Sequence, residues 1–101
     1  LMSGKEKPDG IFCGNDLIAL GVLQYLMENN YKIPEEIGVM GFDDIMIAGL
    51  PQIQMTTIAQ PRDQMGKSAA EILLRSIDGG EKEKAHIILE PELVVRRSTR
   101  K

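Results

Sequence analysis

Residues 37–44 read IGVMGFDD, and this stretch decides the fold. Its first six residues are apolar or glycine, without the alternation of apolar and polar residues that marks a strand with one solvated face. Runs that are apolar on both faces are typical of strands in a parallel sheet covered by helices. Asp43 and Asp44 then end the run. The stretch therefore predicts a buried parallel strand in an α/β fold.

The segment before this strand has the pattern of a second strand followed by a helix. Residues 11–13 form a short apolar run, Asn15 and Asp16 are of the types that cap helices, and residues 17–28 are helical in character. The apolar residues of this helix cover more than the stripe of about 100° that a surface helix needs. We expect the helix to pack on its own sheet and on something else. Strand, helix and strand make a right-handed βαβ unit, so the predicted fold class is α/β, a parallel sheet with flanking helices.

The remaining elements follow from turn residues and periodicity. Residues 45–53 contain Gly49 and Pro51 and are predicted to be irregular or briefly helical, with exposed apolar groups. A third strand is predicted at residues 55–58. Pro61 opens a helix over residues 62–78, which the glycines at 79 and 80 end. Two further strands are predicted at residues 86–89 and 93–95.

Composition excludes several classes of protein. With 101 residues the chain is one small domain, and its net charge of −3 makes it a poor nucleic-acid binder on its own. Cys13 is the only cysteine, which excludes an internal disulfide and is compatible with a cytoplasmic protein. No apolar run approaches the roughly 20 residues of a membrane span, so no membrane partner is predicted. The first five residues read like the end of a helix without a signal peptide, and we expect the chain to be a fragment.

Polar side chains follow each of the three central strands. Asn15 follows the first strand, Asp43 the second and Gln60 the third. The carboxyl ends of parallel strands meet at one edge of a sheet, where ligands bind. A carboxylate there accepts two hydrogen bonds from neighbouring hydroxyls, and an amide both donates and accepts, which suits a small sugar or nucleoside. Three alternatives stay open: a helix cap at Asn15 or Asp16, a turn made by the two aspartates, and an ordinary loop role for Gln60.

Enzymatic chemistry finds little support in the sequence. Neither His86, the one histidine, nor Cys13 lies in a nucleophile and base arrangement, and no residues have zinc spacing. No catalytic residue, metal or cofactor is predicted. One alternative remains, a Mg²⁺-dependent phosphoacceptor or phosphotransfer domain that would use Asp43 and Asp44.

Four segments of the chain resemble those of one regulator family. They read PDGIFCGNDLIALG at 8–21, IPEEIGVMGFDD at 33–44, TTIAQP at 56–61 followed by Met65 and Gly66, and LVVRRS at 93–98. In order and spacing they resemble the LacI/GalR transcriptional regulators, and they cover nearly the whole chain. The resemblance implies a fragment of a two-lobe, type I periplasmic-binding-protein-like effector domain. Residues 1–60 would belong to the C-terminal lobe, 61–90 to the N-terminal lobe, and 91–101 to the return into the C-terminal lobe and the tail.

The resemblance also assigns roles to residues. Asn15 and Asp43 would contact the effector, Gln60 would be a secondary candidate at the hinge, and Asp16 would be the structural helix cap. The family's dimer surfaces match the first helix and the segment after the second strand, which implies an interface formed by Leu17, Leu20, Gln24, Ile45, Met46 and Leu50.

The expected function is the sensing of a small sugar or purine effector by a dimeric cytoplasmic repressor. Operator DNA would be bound by an N-terminal helix-turn-helix domain outside these residues. A periplasmic sugar-binding protein of the same fold is the alternative. The sequence does not name the effector or distinguish an inducer from a co-repressor. We expect the isolated piece to require partner chains or the rest of a longer chain.

Overall fold

The computed structural model of the protein describes residue 4, residues 6–78 and residues 87–100. The chain divides into two compact units. One unit is formed by the chain up to Ala59 together with the chain from Leu93 onward, and the other spans Gln60–Glu92. The predicted glycine stop at Gly79 and Gly80, and His86, lie outside the described residues.

A parallel pair of strands organises the first unit. Strand β1 is Gly10–Phe12 and strand β2 is Gly38–Met40, and they run parallel with Ile11 opposite Val39. The backbone N–H of Cys13 extends the pairing by donating to the carbonyl of Met40 at 2.8 Å. This pair confirms the parallel sheet predicted from the apolar runs.

A third strand lies on the other side of β2. Strand β3 is Thr57–Ala59, and two parallel bridges, Met40 to Thr56 and Asp43 to Ala59, join its segment to that of β2. Strand β4, Glu92–Val94, is paired with β3. The segments of β1, β2 and β3 are therefore parallel neighbours, as predicted.

Helices connect these strands in the described part of the chain. Helix α1 is Asp16–Glu28, a short 3-10 helix is Met46–Gly49, and helix α2 is Arg62–Ile77. Helix α1 ends where predicted, because Asn30 adopts a left-handed conformation with φ of 62°. The predicted irregular segment after β2 contains the 3-10 helix.

The hydrophobic core lies between α1 and the sheet. Helix α1 contributes one stripe of its surface, and the rest comes from β2, from residues next to the ends of β1, β2 and β3, and from the 3-10 helix. The buried apolar residues are Cys13, Ala19, Leu23, Leu26, Ile37, Val39, Ala48 and Met55. Burial raises the pKa of the Cys13 thiol, because desolvation disfavours the thiolate.

The second unit holds helix α2. None of its described side chains is buried, and large apolar ones such as Leu73 and Ile77 are exposed. The strand predicted at residues 86–89 is wrong over residues 87–89, which have no regular structure. A strand needs a neighbour to satisfy its backbone groups, and the described residues of this unit supply none for residues 87–89.

Candidate functional site

The carboxyl ends of β1 and β2 lie side by side. The backbone N–H of Asp16, just after β1, donates to the carbonyl of Phe42, just after β2, at 2.9 Å. Asn15 directly precedes Asp16, and Asp43 directly follows Phe42, so both residues flank this hydrogen bond. The N–H of Asp43 in turn donates to the carbonyl of Ile58 at 2.9 Å, which brings in the end of β3. The predicted shared edge for Asn15 and Asp43 is present.

Asn15 is the N-cap of α1. It has an extended backbone with φ of −159°, and its Oδ1 accepts a hydrogen bond from the N–H of Ile18 at 2.8 Å. This cap satisfies one of the N–H groups that the first turn leaves without a helical partner. The amide nitrogen Nδ2 carries the two donors that Asn15 can offer to a ligand.

Asp16 is not the cap that the family resemblance implied. Its side chain is fully buried and faces the sheet, where Oδ1 accepts from the hydroxyl of Thr57 at 2.7 Å and Oδ2 accepts from the N–H of Ile45 at 2.8 Å. The capping position was assigned to the wrong member of the Asn15 and Asp16 pair. The reason is that the residue before the first helical turn has the extended backbone that a cap requires, whereas Asp16 is already helical.

Asp43 and Asp44 follow β2 with an unusual backbone. Both have positive φ, 115° for Asp43 and 54° for Asp44, and the value at Asp44 lies in the left-handed region that Asp adopts more readily than most residues. Both side chains are half-buried. The turn alternative is wrong in the strict sense, because no hydrogen-bonded turn includes these two residues and Asp43 is bridged to Ala59 instead.

Arg96 neighbours the second of the two aspartates. Asp44 forms an ion pair with Arg96, in which Nη1 lies 3.0 Å from Oδ1, and the same nitrogen donates to the carbonyl of Met55 at 3.0 Å. A cation held by both carboxylates would have to compete with this guanidinium. The described residues contain no group of three or more His, Cys, Asp or Glu side chains placed to hold a metal.

Gln60 falls in the second compact unit. It directly follows β3, as predicted, is half-buried, and its carbonyl accepts from the N–H of Arg62 at 2.8 Å. Its proposed contact with a ligand stays a prediction.

The six residues predicted to form a dimer interface all lie in the first unit. Among the five apolar residues of this set, Met46 and Leu17 have the largest exposed fractions, 89% and 67%. Leu50 and Gln24 are also exposed, and Leu20 and Ile45 are half-buried. Leu20 and Gln24 line a groove of about 600 Å³ beside α1, which continues along Gln52 and Ile53. Helix α1 thus presents an apolar surface beyond the stripe that it buries in the core.

Sequence reasoning missed three residues that shape this edge: Thr57, Gly41 and Arg96. The hydroxyl of Thr57 accepts a hydrogen bond from the N–H of Asp44 at 3.2 Å and donates one to the carboxylate of Asp16. All three residues lie in the stretches that carry the family resemblance. The neighbouring sequence, however, does not distinguish a threonine that will be buried, or an arginine at a strand end, from the residues around it.

The chain matches the periplasmic binding protein-like domain family over residues 1–99. It belongs to this family. Its relatives within the family are LacI-type transcriptional regulators. The HTH-type transcriptional repressor PurR of Vibrio campbellii is 41% identical over 97 residues, which are 96% of this chain and 29% of that repressor. The chain therefore spans less than a third of the length of this curated relative.

Solved structures agree with this family assignment. A LacI transcriptional regulator from a Rhodococcus species superimposes with a TM-score of 0.89 and 36% identity, covering 98% of this chain and 36% of that one. A LacI family transcriptional regulator from Arthrobacter sp. FB24, solved in complex with lactose, gives a TM-score of 0.81 and 34% identity, covering 91% and 35%. The chain is thus part of a periplasmic-binding-protein-like domain of the kind that these regulators contain. In its described residues no helix has the length and apolar character of a membrane span.

Proposed function

We propose that this chain is the effector-sensing portion of a dimeric, cytoplasmic transcriptional repressor and has no catalytic activity of its own. The observation that carries the proposal is the meeting of Asn15 and Asp43 at adjacent carboxyl ends of a parallel sheet, in a chain whose relatives are repressors. Ligands bind at this edge in open α/β sheets.

The chemistry of the two side chains favours a polyhydroxylated ligand. The Asp43 carboxylate offers only acceptors, which suit neighbouring hydroxyls of a sugar, and Nδ2 of Asn15 offers donors. Hydrogen bonds to a charged group are stronger than neutral ones. A sugar is therefore the first ligand class to test, which the lactose complex of the Arthrobacter regulator supports, and a purine is the second.

The two compact units support an assignment to two lobes. The first unit would be the C-terminal lobe, and the second unit would belong to the N-terminal lobe, with Gln60 at the hinge. An effector that binds one arrangement of the lobes more tightly than another shifts their populations, and this couples to DNA affinity elsewhere in the protein. Operator DNA would be bound by a helix-turn-helix domain outside the present 101 residues.

A second copy of this chain would cover the exposed apolar surface of the first unit. Met46, Leu17 and Leu50 expose apolar side chains, and Leu20 and Gln24 line a groove beside the same helix α1. Interfaces of homodimers are more apolar than ordinary protein surface, which fits this set better than a solvent-facing role.

The experiment that tests the function compares Asp43→Asn with the wild type in the full-length protein. Asn is close to Asp in size and shares its tolerance of positive φ, so the substitution removes the charge with little change to the backbone. A panel of pentoses, hexoses, disaccharides and purine bases is screened by thermal shift, and each hit is titrated calorimetrically. We expect Asp43→Asn to weaken binding of the hit by about tenfold or more, because a hydrogen bond to a charged group contributes about 1.5–3 kcal/mol.

The control is Glu35→Gln, which removes an exposed carboxylate elsewhere in the same unit. It should bind the hit as the wild type does. If no compound of the panel binds the wild type, or if Asp43→Asn binds unchanged, the effector assignment is wrong.

A further inference from the structure

Asp16 is a fully buried carboxylate at the point where three strand ends meet. Its Oδ1 accepts from the Thr57 hydroxyl at 2.7 Å, and its Oδ2 accepts from the backbone N–H of Ile45 at 2.8 Å. The Thr57 hydroxyl accepts in turn from the N–H of Asp44 at 3.2 Å. Both side chains are buried, and each of these bonds joins segments far apart in sequence.

These contacts enclose Asp43 on both sides. On the N-terminal side, the carbonyl of Phe42 accepts from the N–H of Asp16. On the C-terminal side, the N–H of Asp44 donates to the Thr57 hydroxyl, and the N–H of Ile45 donates to the Asp16 carboxylate. Asp43 and Asp44 both have positive φ, which residues other than glycine keep only when their surroundings hold them there. The hydrogen bonds to Asp16 and Thr57 contribute to that hold, together with the bond from the N–H of Asp43 to the carbonyl of Ile58 and the ion pair of Asp44 with Arg96.

We propose that Asp16 and Thr57 act as a positioning pair that helps to fix the Asp43–Asp44 segment in its effector-binding conformation. The proposal rests on the proposed function, because it takes Asp43 to be an effector contact. The pair does not touch the effector itself. The pair keeps the Asp43 carboxylate beside Asn15 before the effector binds. Binding then does not have to pay the entropy of ordering the Asp43–Asp44 segment.

A purely structural role would leave a different signature. Consider a buried hydrogen-bonded group that only stabilises the fold. Its substitution would lower the melting temperature but would leave the conformation of the Asp43–Asp44 segment and the affinity of the folded protein unchanged. Ser98 is a matched case, since it is buried and its hydroxyl accepts from the N–H of Thr56 at 2.8 Å and donates to the carbonyl of Val39. It makes no hydrogen bond to Asp16 or Thr57 in the described structure.

The test uses four variants of the full-length protein: Thr57→Val, Thr57→Ser, Asp16→Asn and the control Ser98→Ala. Amide hydrogen exchange at Asp44 and Ile45 is measured without ligand, and affinity is measured for the compound that the panel screen identifies. Thr57→Val should speed exchange at the Asp44 amide and weaken binding, each by about tenfold, because it removes the hydroxyl that accepts from this amide. Asp16→Asn should weaken binding and speed exchange at Ile45 or Asp44, because Asn has one acceptor oxygen where the carboxylate has two. Thr57→Ser keeps the hydroxyl and should restore both values.

Ser98→Ala should lose thermal stability while its exchange at Asp44 and Ile45 and its affinity stay at wild-type values. Unchanged exchange in Thr57→Val and Asp16→Asn would overturn the proposal, and so would faster exchange with unchanged affinity. If no compound of the panel binds the wild type, the proposed function is wrong. Amide exchange at Asp44 and Ile45 then tests the positioning claim alone: faster exchange in Thr57→Val and Asp16→Asn supports it, and unchanged exchange contradicts it.

Discussion

Gly41 shows how a single residue can be required by close packing. A Cβ at this position would lie 3.1 Å from Cα of Asp16 and 3.2 Å from its Cγ, closer than ordinary van der Waals contact. The Asp16 side chain cannot yield, because it is buried and hydrogen-bonded on both oxygens. The glycine in the GFDD stretch therefore lets α1 and β2 approach at the strand ends.

We expect Gly41→Ala to destabilise the protein by about 1–3 kcal/mol, the usual cost of forcing extra volume into a packed site. The matched control is Gly21→Ala, since Gly21 lies in α1 with nothing within 4 Å of an added Cβ. This control should be neutral or stabilising by about 0.5–1 kcal/mol, because alanine favours the helix. Urea denaturation measures both, and equal effects of the two substitutions would contradict the packing argument.

At the scale of elements, α1 separates a core-facing stripe from an exposed apolar surface. Ala19, Leu23 and Leu26 are buried, whereas Leu17 and Tyr25 are exposed by 67% and 52%. The helix begins at a cap that is also a proposed effector contact. Its N-terminus therefore has two requirements, helix stability and ligand recognition, that meet in one side chain.

Substitutions at Asn15 separate these two requirements. Serine caps helices about as well as asparagine, so Asn15→Ser should keep the free energy of unfolding within about 0.5 kcal/mol, while Asn15→Ala should lose about 1 kcal/mol. Both remove the amide donors of Nδ2, and both should weaken binding of the compound found by the panel screen. Thermal denaturation and calorimetric titration give the two readouts. Wild-type affinity in Asn15→Ser would show that the side chain serves only as a cap.

At the scale of the whole molecule, both units carry large apolar side chains that are exposed. In the first unit, Met46 on the 3-10 helix is 89% exposed, and in the second unit no described side chain of α2 is buried. Large exposed apolar patches mark interaction surfaces in proteins. The proposed second copy of the chain accounts for the patch around Met46.

Met46→Glu tests this assignment. A charge buried in an apolar interface without a partner is strongly unfavourable, so we expect the variant to shift the full-length protein from dimer to monomer. Light scattering coupled to size-exclusion chromatography measures the mass, and Met46→Leu, which keeps the apolar surface, should remain dimeric. A dimer of unchanged stability in Met46→Glu would place the interface elsewhere.

The sequence by itself determined the order of β1, α1 and β2, the parallel direction of the sheet, and the edge that Asn15 and Asp43 share. These features follow from apolar runs and turn residues that act over a few positions. The tertiary structure decided that Asn15 caps α1 while Asp16 turns inward to Thr57, 41 positions away, and that Asp44 pairs with Arg96. It also showed that residues 87–89 are not a strand. A buried polar group is satisfied by whichever partner the folded chain brings to it, so such partners cannot be identified from neighbouring residues alone.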